Sequence, residues 1–120
     1  MKKILISAAN GTVMPELITY LKKSYYVIGI DSNKIGLAKK YCDEFYQSPT
    51  GKDIKFIKFI EKIGIKVDMI FLFVDEELNI VSKNLHKLNK IQNKLILSPF
   101  RTINICNDKL KFEKFFTKFK

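Results

Sequence analysis

The residues best suited to chemistry lie in short polar clusters, each just after an apolar run. Ala8-Ala9-Asn10-Gly11 follows the first run, Asp31-Ser32-Asn33 the second, Asp75-Glu76-Glu77 the fourth and Ser98-Pro99 the fifth. Small and polar residues with helix starts behind them suit an anion or a polar substrate, because helix N-termini favour negative charge. Each cluster also has a plain structural use. Asp75 can serve as an N-cap, with Glu76 and Glu77 compensating the helix dipole, and Gly11 can serve a turn alone. Asp31 stands 20 residues after Gly11, a spacing that suits an acid gripping the ribose of a dinucleotide. That fingerprint needs three glycines where this loop has one, and Thr12, Val13 and Met14 would crowd a pyrophosphate. A phosphoacceptor receiver domain needs a carboxylate pair after its first strand, and Ser7-Ala8-Ala9 offers none. No Ser or Cys has a nearby candidate base, and the single His86 has no companion for a metal or a triad. His86 reads as a helix-surface residue.

The elements that must position these clusters can be read from hydrophobic periodicity. Lys2 to Ala8 predicts a strand. Thr12 to Lys23 predicts a helix with Met14, Leu17, Ile18 and Leu21 on one face and Pro15 in its first turn. Tyr26 to Asp31 is a second strand, Ile35 to Tyr41 a short helix, and Glu44 to Ser48 a short strand. Asp53 to Gly64 is a helix with Phe56, Phe59, Ile60 and Ile63 inward and Gly64 as its C-cap. Asp68 to Val74 is the most apolar strand, a pattern suited to burial on both faces. A helix carrying Leu78, Val81, Leu85 and Leu88 follows, then a fifth strand from Lys94 to Leu97. Five alternations of strand and helix predict an α/β fold. It would be a doubly wound, Rossmann-like parallel five-stranded sheet in the order 3-2-1-4-5, with helices on both faces. Ligands of such sheets bind beyond the carboxyl ends of the strands, where the winding reverses.

A length of 120 residues fits one domain with its own core. The apolar start breaks at Asn10-Gly11, too soon for a secretory signal, and the run from Met69 to Val74 is far too short to span a bilayer. These features, with Cys42 and Cys106 read as reduced thiols, predict a cytoplasmic protein without membrane contact. The net charge of +10 invites a nucleic-acid reading. However, Arg101 is the only arginine, and the lysines are spread over every segment, as on an ordinary solvated surface. Nucleic acid is therefore not an expected partner.

The segments KKILISAANG, VIGIDSN, DEFYQSP, IFLFVDEEL and SPFRTINICNDKLKFEKFF, in this order, resemble the amino-terminal (pre-ATP-grasp) domain of ATP-grasp ligases. The similarity is to the carbamoyl-phosphate-synthase-like proteins and covers essentially the whole chain. It implies a part of an ATP-dependent ligase that activates a small carboxylate as an acyl phosphate, which an amine or ammonia then displaces. By the same resemblance Asn10, Gly11, Asp31, Glu76 and Glu77 would face substrate, and Lys109 of the NDK motif would touch nucleotide phosphates. ATP and Mg²⁺ would be held by C-terminal ATP-grasp lobes missing from this chain. The chain alone would be inactive and would bind neither tightly.

Residues 1–98 are then expected to form the pre-ATP-grasp domain and 99–120 a helical segment leading toward the absent lobes. In that segment Asp108 can cap a helix whose Phe112, Phe115, Phe116 and Phe119 form one stripe. The stripe can pack on the home sheet or bridge to the lobes, and the length reads as a trimmed or truncated polypeptide. Two other functions stay open at this level. One is a stand-alone module binding a nucleotide or small anion; the other is an interaction protein docking through the Phe stripe. Whether the chain forms a homodimer is also left open.

Overall fold

A computed structural model describes residues 1–96. The strands are β1 (Lys2–Ile6), β2 (Tyr25–Asp31), β3 (Glu44–Gln47) and β4 (Met69–Phe71), and the helices α1 (Met14–Leu21), α2 (Ala38–Tyr41), α3 (Lys55–Gly64) and α4 (Asp75–Lys83). Two 3₁₀ turns, Leu85–Lys87 and Gln92–Lys94, follow α4. The strands form one parallel sheet in the order β3-β2-β1-β4. The α/β class, the parallel pairing and the order of the first four strands therefore agree with the sequence.

The fifth strand is not formed among the described residues. Lys94 lies in a 3₁₀ turn, and Leu95 contributes one isolated parallel bridge to Ile70 on the free edge of β4. The last helix, Lys109 and the Phe stripe lie outside the described residues, as does the segment expected over 99–120.

Side chains alternate across a strand, and β1 uses this to fill two cores. Leu5 joins Ile28, Ile30, Phe56, Ile60, Ile70, Val81, Leu88 and Ile91 on the face covered by α3 and α4. Ile4 and Ile6 join Val27, Met14, Ile18, Ala38 and Cys42 under α1 and α2. Helices thus cover both faces. Among the described residues no helix is long and apolar enough to cross a membrane.

Three local readings need correction. Gly64 is the last residue of α3, and Ile65 caps the helix in right-handed conformation. Gly64 instead sits in close packing: a Cβ there would stand 2.9 Å from Ile70 Cδ1 and 3.0 Å from Ile91 Cγ2. Asp75 is not the N-cap of α4. Val74 holds that place without a side-chain cap, and Asp75 begins the helix itself. Leu85 and Leu88 lie beyond α4, which ends at Lys83; the 3₁₀ turn that follows still buries Leu88 and exposes His86.

Candidate functional site at the carboxyl ends of the strands

β1 ends where Ala8 enters the left-handed region with φ 54°, a conformation that costs a non-glycine residue about 1 kcal/mol. The Gly11 N–H closes the turn on the Ala8 carbonyl at 2.9 Å. A Cβ on Gly11 would press on Met14 Cγ at 3.1 Å and Ala8 O at 3.2 Å. This turn lifts Asn10 onto the rim beside β2.

Asn10 and Asp31 are brought together, mostly through backbone. The Asn10 N–H donates to Asp31 Oδ2 at 3.0 Å, and the Asn33 N–H donates to Asp31 Oδ1 at 2.9 Å. The Asn10 amide donates to the Asn33 carbonyl at 2.6 Å, while its Oδ1 accepts the Ala38 N–H at 2.9 Å. Asn10 therefore clamps the β2–α2 loop to the β1–α1 loop. Gly36, at φ 153°, makes room for the clamp, since a Cβ there would lie 2.5 Å from Asn10 Cγ.

The acidic residues of α4 separate. Glu76 is exposed and meets Lys52 Nζ at 3.7 Å. Glu77 is only 3% exposed, and its Oε1 has no hydrogen-bond partner. Burial pushes its carboxyl up to about 7; the Asp31 and Glu76 charges add to the rise, while the Ser7 hydroxyl and the Val74 backbone oppose it. Ser7 is itself buried and accepts the Phe73 N–H on Oγ at 2.7 Å. Gly51, on the β3–α3 loop, presses onto the same helix turn: a Cβ there would stand 2.5 Å from the Glu77 nitrogen. Ser7, Gly36 and Gly51 were missed in the sequence, because their roles depend on what lies across the fold from them.

Exposed apolar side chains surround this rim. Val13, Ile35, Leu37 and Phe73 lie on the loops after β1, β2 and β4 and are each about half exposed or more. Phe73 stacks on Phe71 with ring centroids 6.3 Å apart.

Residues 4–96 match the family described as PylC-like, N-terminal domain. The chain belongs to the PylC-like N-terminal domain family. This bears out the resemblance to the amino-terminal domain of ATP-grasp ligases. N5-carboxyaminoimidazole ribonucleotide synthetase from Thermotoga maritima has a similar fold, with a TM-score of 0.61 at 23% identity, over 98% of this chain and 31% of that one. The Staphylococcus aureus N5-carboxyaminoimidazole synthetase, solved with ADP, gives 0.60 at 20% identity, over 92% of this chain and 27% of that one. This PylC-like chain thus spans about a third of the length of the enzymes it resembles in fold. No curated protein matches it significantly.

Both carboxylate oxygens of Asp31 already accept backbone N–H groups, and the Asn10 side chain fills the space beside Gly36. Among the described residues no group of three His, Cys, Asp or Glu could hold a metal ion.

Proposed function

We propose that this chain is the substrate-side wall of an ATP-dependent carboxylate–amine or carboxylate–ammonia ligase of the ATP-grasp type. The observation that carries this reading is the rim. A rigid polar turn at Asn10, Gly11 and Asp31 stands beside exposed Glu76, within a border of exposed apolar side chains. A domain that worked alone would leave that border in water; a second body closing over it would bury Val13, Ile35, Leu37 and Phe73. Membership of the PylC-like family supports ATP-grasp lobes as that body, and they would hold ATP and Mg²⁺. Lys109 would reach the nucleotide phosphates from the segment 99–120.

Within the proposed cleft Glu76 offers a carboxylate for the amine of an acceptor. Gly11 lets the backbone approach a small carboxylate, and Asn10 and Asp31 fix the loop that does so. Glu77 acts through position, since it lies beneath the rim under Gly51. The reading places the enzyme in the cytoplasm, where a buried free thiol such as Cys42 stays reduced. Calorimetric titration of the chain with Mg-ATP tests the division of labour. Binding no tighter than millimolar is expected, because the nucleotide contacts belong to the lobes; micromolar binding by the chain alone would overturn the reading.

A further inference from the structure

A second concavity lies away from the rim, toward the amino ends of the strands. The helix α3 carries the chain from edge strand β3 across to β4 and leaves the corner over β2 and β3 open. The cavity there encloses about 300 Å³, the lower end of the usual size for small-molecule sites. Its floor is apolar: Ile28 and Ile63 are buried and Phe59 half-buried. Its edge is polar, with Lys3 from β1, Glu44 and Tyr46 from β3, and Lys62 and Lys66 from α3 and the turn after it.

The polar groups are not equivalent. Tyr46 donates its hydroxyl to Glu44 Oε1 at 2.6 Å. That bond and the Tyr26 hydroxyl hold the Glu44 carboxyl below its usual range, with help from Lys3 and Lys66. The one carboxylate is therefore already engaged by phenols. Lys3 also stands 5.3 Å from the Tyr26 ring centroid. Among the described residues the ion pairs are Lys22–Asp43 and Lys52–Glu76, so none of the three pocket lysines is within ion-pair distance of a carboxylate. Three lysines and one shielded carboxylate thus border an apolar floor.

We propose that this corner is a binding site for a small organic anion with a flat apolar body, such as an aryl phosphate or aryl carboxylate. The ring would cover Ile28, Phe59 and Ile63, and the anion would sit among Lys3, Lys62 and Lys66. A bare inorganic anion would leave the floor in water, and a cation would be repelled by the lysines. The site does not depend on the ligase reading, since it lies at the other end of the sheet from the rim.

The test is a two-dimensional amide NMR titration of the chain with phenyl phosphate, inorganic phosphate and benzylamine. Phenyl phosphate should give saturable shifts clustered at Lys3, Ile28, Glu44, Tyr46 and Ile63, with inorganic phosphate about tenfold weaker and benzylamine without effect. The Lys62→Glu, Lys66→Glu double variant should bind phenyl phosphate at least about tenfold more weakly, its other resonances unmoved. Both positions are exposed, and Lys62→Gln gives the same comparison without charge reversal. Shifts spread evenly over the surface lysines, equal binding of benzylamine, or unchanged affinity in both variants would overturn the proposal.

Discussion

Replacing Glu77 by Gln should change how stability depends on pH. The Glu77 carboxyl is pushed up to about 7 in the folded chain, from an ordinary value of 4.5. Below pH 4.5 the acid is protonated in both folded and unfolded chains and contributes no pH dependence. Between 4.5 and 7 the folded chain keeps a proton that the unfolded chain releases, so stability falls as pH rises. Above 7 the whole difference has been lost, about 3 kcal/mol from the shift. Gln copies the neutral acid and does not titrate. Its extra N–H needs an acceptor, but that cost is the same at every pH. Urea unfolding of both proteins in steps from acid to mildly alkaline pH isolates the effect, because every other group titrates alike in the two. The Gln variant should gain on the natural chain by about 3 kcal/mol across this range. A stability difference that stays constant with pH would show that Glu77 is ionised inside the fold, and the account of its burial would be wrong.

Two further outcomes follow from the rim. Asn10→Ala removes an acceptor for the Ala38 N–H and a donor to the Asn33 carbonyl. It should cost about 1–3 kcal/mol and speed hydrogen exchange of residues 33–38, whereas unchanged exchange would mean that the clamp is not holding the loop. Gly51→Ala sets a Cβ against the Glu77 and Glu76 backbone at 2.5 and 2.7 Å. Backbone cannot yield as a side-chain end does, so a loss of about 1–3 kcal/mol is expected in thermal unfolding; full stability in that variant would show that the loop and α4 are not in contact.

Much of the architecture was legible because it depends on local periodicity. The alternation of apolar runs with amphipathic segments gave the α/β class. Asp68 to Val74 read as a strand enclosed on both faces, but the strand spans only Met69–Phe71 and burial alternates along it: Ile70 and Leu72 are buried, Met69 and Phe71 are partly covered, and Phe73 is exposed. The strand ends were legible for the same reason, which is why Asn10, Gly11, Asp31 and Glu76 could be named. Element lengths were less legible. β4 closes at Phe71 because its neighbour β1 closes at Ile6, and the Ser7 hydroxyl then takes the Phe73 N–H. α4 stops at Lys83 although its apolar spacing continues; a 3₁₀ turn takes over at Leu85, and Leu88 just after it is still buried.

By itself the sequence determined which residues reach the carboxyl-end rim, since each stands at or within a few residues of the end of a strand that periodicity defines. Only the tertiary structure decided what those residues do there. Neighbours in the chain such as Glu76 and Glu77 have the same chemistry and differ only in what packs on them: water and Lys52 for one, Ser7 and the Gly51 loop for the other. Burial, and the proton it holds, arises from contacts between distant segments, and no pattern along the chain records it.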